Sequence, residues 1–141
     1  MLAEDLLPVY DVHDEVATVV AADPATTWAA LMECDLIEVG RRRPLVGALG
    51  AMRALPQIAA DLLHGERPEG PPDRLTLRDT TRLPVADGGW ILLGEVPGAE
   101  LALGLVGRFW RPVIEYAHLE PEAFPGFDEP GYAKTIYALG V

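Results

Sequence analysis

The chain has 141 residues, half of them apolar, and a formal net charge of −11; this is the size of one domain with enough apolar content to bury a core. The acidity argues against nucleic acid as a partner, because phosphate recognition needs clustered Lys and Arg, and against a surface that clings to anionic lipid. With Cys34 as the single cysteine, an internal disulfide and a cysteine-based metal cage are both ruled out.

In chain order, residues 1–10 read as a short lead-in of one helical turn. Met1-Leu2-Ala3 runs directly into Glu4-Asp5, without the basic start and long apolar core of a secretory signal. No apolar run approaches the roughly 18 residues that cross a bilayer, so the expected compartment is the cytoplasm. Val12 to Ala21 reads as a strand, with Val12, Asp14, Val16, Thr18 and Val20 on one face and His13, Glu15, Ala17 and Val19 on the other. Asp23-Pro24 pairs a good N-cap with the residue preferred at the first helical position. The helix it opens runs to about Glu33 and places Trp28, Leu31 and Met32 on its inward face.

Residues 35–43 read as a connection ending in Arg41-Arg42-Arg43. A second helical region spans 44–63, with Leu45, Leu49, Met52 and Leu55 in a stripe, a kink or restart at Pro56, and Ile58, Leu62 and Leu63 continuing the apolar face. Gly65 to Asp73 is a loop by its Pro, Gly and charge. Short strands follow. Leu75 and Leu77 alternate with Arg74, Thr76 and Arg78; Asp87-Gly88-Gly89 marks a turn; Trp90–Glu95 and Glu100–Phe109 form a hairpin around Pro97-Gly98. Residues 111–131 form an irregular crossing segment, and Tyr132 to Val141 a last strand. Strand, two helices and then a meander point to an α+β fold with an antiparallel sheet.

The opening Ala22-Asp23-Pro24-Ala25-Thr26-Thr27-Trp28-Ala29-Ala30-Leu31, after an amphipathic strand, resembles the start of the START-like (SRPBCC) superfamily, which includes lipid-transport domains and polyketide cyclases or dehydrases. The runs from Pro97 to Trp110 and from Phe127 to Lys134 are similar to the mid-sheet of a bacterial branch of that group. The resemblance implies a helix-grip β-α-α-β(n) fold: a single domain in which a curved sheet grips a long C-terminal helix around a cavity for hydrophobic ligands. It calls for roughly one or two further strands and the final helix beyond residue 141. The chain stops within an apolar strand-like run, so the C-terminal helix is absent from it. The expectation is a shortened chain, or a partner covering the gap by edge pairing or exchange of an element.

Residues that carry chemistry are few. His13, His64 and His118 are too scattered for a metal site, and no cofactor is expected. The chain has no serine, and Cys34 sits between Glu33 and Asp35, which oppose thiolate formation. Gly104-x-x-Gly107 falls within a strand, so it does not make a phosphate loop. Glu95, Glu100 and Glu115 are the candidates for acid–base work, although Glu95 and Glu100 flank the wet hairpin tip. Arg78 and Arg108 are expected to face outward. In a START-like sheet, alternate strand residues face the cavity, which makes Trp90, Leu92, Leu103, Phe109, Trp110, His118 and Tyr137 the candidate lining.

Three functions compete. The first is binding or carriage of a hydrophobic small molecule in the sheet–helix cavity. The second is a protein-interaction module, extending to a homo-oligomer, that uses the exposed sheet edge or helices 44–63. The third is a polyketide cyclase- or dehydratase-like enzyme.

Overall fold

The computed structural model describes residues 2–43, 52, 54–55, 58–59, 62–65, 73–82 and 90–141. The architecture is α+β, with a three-stranded antiparallel sheet in the order β1-β2-β3. The strands are β1 (Ile91–Val96), β2 (Glu100–Gly107) and β3 (Ala133–Gly140). The hairpin expected around Pro97-Gly98 is present: Ala99 N donates to Val96 O at 2.9 Å, and Gly98 has φ +80°, a conformation open to glycine at no steric cost. A bulge between Leu92 and Gly94 re-aims β1 midway.

Four short helices lie in the described residues outside 44–65: α1 (Leu2–Leu6), α2 (Pro24–Met32), α3 (Leu36–Arg42) and α4 (Leu77–Thr80). Asp23 caps α2, accepting from Thr26 N at 2.9 Å and from Thr26 Oγ1 at 2.7 Å. Residues 35–43 differ from their expected role as a connection. Asp35 accepts from Ile37 N and Glu38 N and starts α3 with Glu38 in its first turn, and Arg41 and Arg42 suit its C-terminal end. The strand expected from the alternation of residues 74–78 is likewise replaced by α4. Thr76 and Asp79 close a reciprocal capping box, and local capping outweighs a short alternation. What remains of pairing there is one bridge between Asp35 and Thr76.

The expected strand from Val12 to Ala21 does not form. The stretch carries no ladder bonds and is exposed throughout. Neither of its two faces is uniformly apolar, since Asp14 and Thr18 interrupt one and His13 and Glu15 the other. Of the 44–63 region, Met52, Ala54, Leu55, Ile58, Ala59, Leu62 and Leu63 are helical and exposed; Leu45, Leu49 and Pro56 lie outside the described residues. So does the Asp87-Gly88-Gly89 turn. The irregular segment 111–131 is as expected, with a single 3-10 turn at Pro121–Ala123.

The core has two parts, one on each face of β2. Leu101 and Leu103 meet Trp28, Met32 and Leu77 from the helical layer, with Trp90, Leu92 and Leu139 packed alongside. On the opposite face, Val106 and Ile91 meet Phe124 from the crossing segment, joined by Leu93, Phe127, Tyr132 and Ile136. A Cβ on Gly104 would sit 2.8 Å from both Leu93 Cδ1 and Phe124 Cε2, so the missing side chain is what lets the Phe124 ring reach the sheet.

Candidate functional site

A cleft of about 930 Å³ lies between residues 9–16 and β3. Leu7, Val9, Tyr10, Val12 and Val16 line one wall; Phe127, Tyr132, Ile136, Tyr137 and Ala138 line the other. Its walls are anchored from outside. Leu2 N in α1 donates to Glu100 Oε1 at 2.9 Å, fixing the start of the chain beside the sheet. Trp28 and Met32 fix α2 in the core after the segment. Phe127 and Tyr132 meet edge to face with centroids 5.7 Å apart, and the Arg108 guanidinium lies 4.5 Å from the Tyr132 ring centroid. Across the cleft, the Tyr10 and His13 rings are 5.3 Å apart.

The rim is acidic. Glu4, Asp11, Asp14, Glu15, Asp128 and Glu129 all line the cleft, against one lysine, Lys134. Lys134 Nζ lies along the Phe124 ring and donates to Pro125 O at 3.0 Å, a contact that ties the crossing segment to β3. Such a rim favours a neutral or cationic guest and repels an anionic one.

Of the expected cavity lining, Trp90, Leu92 and Leu103 come together in the core between sheet and helices, and Tyr137 meets Trp90 edge to face at 5.4 Å. Tyr137 alone of the seven also lines the cleft. Phe109 packs on Tyr116 at 6.4 Å; Trp110 and His118 are exposed, in and after the turn that follows β2. Trp28, Met32, Leu77, Leu101 and Leu103 pack together between sheet and helices. Tyr132 and Ile136 also line the cleft without being among the seven; alternation within the last strand does not by itself tell which of its residues border an opening.

The carboxylate candidates serve separate purposes. Glu100 accepts from Leu2 N. Glu115 is held by Arg108 at 3.1 Å and by Arg111. Glu95 is exposed beside the hairpin turn. Arg78 faces outward, 2.7 Å from Glu33. Arg108 instead is three-quarters buried at its side chain, and its Nε has no acceptor among the described residues. Cys34 is half-buried. Among the described residues no group of three or more His, Cys, Asp and Glu side chains is arranged to hold a metal, and no helix is long and apolar enough to cross a membrane.

No protein-family model matches the chain, and no curated protein or solved structure matches it either.

Proposed function

We propose that the chain is a START-like, helix-grip type domain that binds a neutral or cationic hydrophobic small molecule without transforming it. The observation that carries this reading is the cleft between residues 9–16 and β3. Its volume of about 930 Å³ lies within the usual range of small-molecule sites, roughly 300–1,000 Å³. Tyr132, Ile136 and Tyr137 supply apolar area with polar handles at the phenol groups. The family part of the reading is supported by the Asp23-Pro24 helix start that puts Trp28 against the sheet and by the antiparallel strands that follow the helices; its expected first strand is not formed.

The acidic rim narrows the ligand class. A fatty-acid carboxylate entering the cleft would meet six carboxylates, whereas a neutral or amine-bearing apolar molecule would not be repelled. Native mass spectrometry of the purified protein, with uptake of neutral Nile red compared against an anionic naphthalene sulfonate dye, tests this. Expected are a retained small molecule and preferential Nile red uptake that Val12→Asp and Tyr137→Ala both weaken. No retained molecule and no dye uptake would remove the proposal.

A second reading, a protein-interaction module, is favoured by one specific feature: no strand in the described residues pairs with the outer edge of β3.

A further inference from the structure

Val141 N donates to Ala99 O at 3.0 Å, and the β2–β3 register runs unshifted from Glu100 opposite Gly140 to Gly107 opposite Ala133. In an antiparallel pair, successive residues alternate between bonding to the neighbour and facing away. Odd-numbered residues of β3 therefore bond to β2, while Lys134, Ile136, Ala138 and Gly140 turn their N–H and C=O groups to the outer edge. That edge has no strand partner among the described residues.

Facing it across the cleft are residues 9–16, which open into a stretch, Val12–Val20, with the composition of a strand and no ladder of its own. Val12, Val16 and Val19 are 86, 89 and 98 % exposed. The stretch Val12–Val20 has nine residues, one more than β3. It carries Asp14 and Glu15, and the edge carries Lys134, the one lysine of the chain. Held between α1 and α2, the segment stands off the β3 edge of its own chain, with the cleft between them.

We propose that two copies of this chain exchange the segment. Residues 12–20 of each copy add as a fourth strand to the outer edge of β3 in the other, giving a two-fold symmetric dimer. The occupant is a second copy because the chain itself supplies both halves of one ladder, an edge with no strand partner among the described residues and a segment rich in β-branched residues of nearly the same length. The inference does not rest on the ligand reading: a strand added to this edge takes the β3 side of the same cleft, so the dimer and a bound small molecule compete for that space.

Sedimentation of the full chain over low to high micromolar concentration, at physiological ionic strength to screen the net charge, should show a reversible dimer. Val16→Pro disables the segment, and Ala138→Pro disables the edge. Val16 is exposed and Ala138 N–H points away from β2, so circular dichroism and thermal melts should show both variants folded. Each alone should weaken self-association about tenfold or more, the loss expected from unsatisfied ladder bonds. Mixing the two should restore association, as heterodimers joined through the one intact pairing. A monomer at every concentration overturns the proposal, as does a dimer indifferent to both variants. Loss with Ala138→Pro alone, leaving Val16→Pro dimeric, also overturns it and assigns the contact to direct β3–β3 pairing.

Discussion

β2 and the segment from Val12 to Val20 are both short stretches rich in strand-forming residues, yet they end in opposite environments. β2 has a strand on either side, and Leu101, Ala102 and Val106 are fully buried. The Val12–Val20 segment has no strand neighbour among the described residues, and Val19 is almost wholly exposed. The difference does not lie in local preference, since valine favours a strand in both places. It lies in what each can be paired with. A turn at Pro97-Gly98 brings β1 alongside β2, the crossing segment returns β3 to its other side, and both faces of β2 find covers, Trp28 and Met32 on one and Phe124 on the other. A strand is a relation between segments, and its hydrogen bonds and covers come from elsewhere in the chain.

The sharpest way to break this comparison is to remove a cover from β2. Phe124 is fully buried and rests on the Gly104 face. Phe124→Ala should cost about 3–5 kcal/mol, and Met32→Ala on the other face about 2–5 kcal/mol, from lost burial and the cavities left behind. Urea unfolding with an unchanged slope checks both. A loss under about 1 kcal/mol at either site would mean that this face of β2 is not packed.

Gly104→Ala tests the same contact from the sheet side. The new methyl would lie 2.8 Å from carbons of both Leu93 and Phe124, so ring and side chain must both shift. Overpacking of this kind costs about 1–3 kcal/mol. Thermal melts should place Gly104→Ala between wild type and Phe124→Ala.

Acid titration sharpens the comparison at the helical layer. Asp79 accepts from Thr76 Oγ1 at 2.7 Å and from Thr76 N at 2.9 Å, and these bonds hold its carboxyl below the ordinary value of 3.8. At Asp35 desolvation is the largest single influence and pushes upward, but the amides of Leu75, Glu38 and Ile37 together outweigh it, so this carboxyl is also lowered. A group lowered in the folded chain contributes stability that is complete above its unfolded pKa. That stability is lost as pH falls through the folded value. Asp35→Asn and Asp79→Asn should therefore melt below wild type at neutral pH, with the gap closing as pH drops below about 4. A gap that stays constant down to strongly acid pH would show that charge plays no part in these caps.

The hairpin, the last strand, α2 and the irregular crossing segment were legible because their signals are local: Pro97-Gly98 fixes a turn, and Asp23-Pro24 fixes a helix start. Two helices were misread although their signals are also local. Asp35 followed by Glu38, and Thr76 followed by Asp79, are capping pairs, but α3 and α4 are too short to show a convincing apolar stripe beside them. The fate of Val12–Val20 depends on an edge more than a hundred residues away, which no window on the sequence contains. Of the candidate lining only Tyr137 borders the cleft, for the same reason. Strand alternation identified Tyr137, but which face of β3 is covered and which edge borders an opening depends on Phe124, Phe127 and the path of residues 9–16.

The smallest effect is the most informative about the exposed half of the comparison. Val19→Asn in a dilute, monomeric sample should change stability by less than about 0.5 kcal/mol, because a side chain 98 % exposed gives up no burial when it becomes polar. The same exchange at Val106, fully buried against Phe124, should be severe, since it puts an amide into an apolar layer. Repeating the Val19→Asn melt at high concentration separates two origins of stability. If the segment pairs only between copies, the penalty should grow with concentration. A penalty above about 1 kcal/mol already present at high dilution would mean that the segment is covered within its own chain, and the contrast with β2 would disappear.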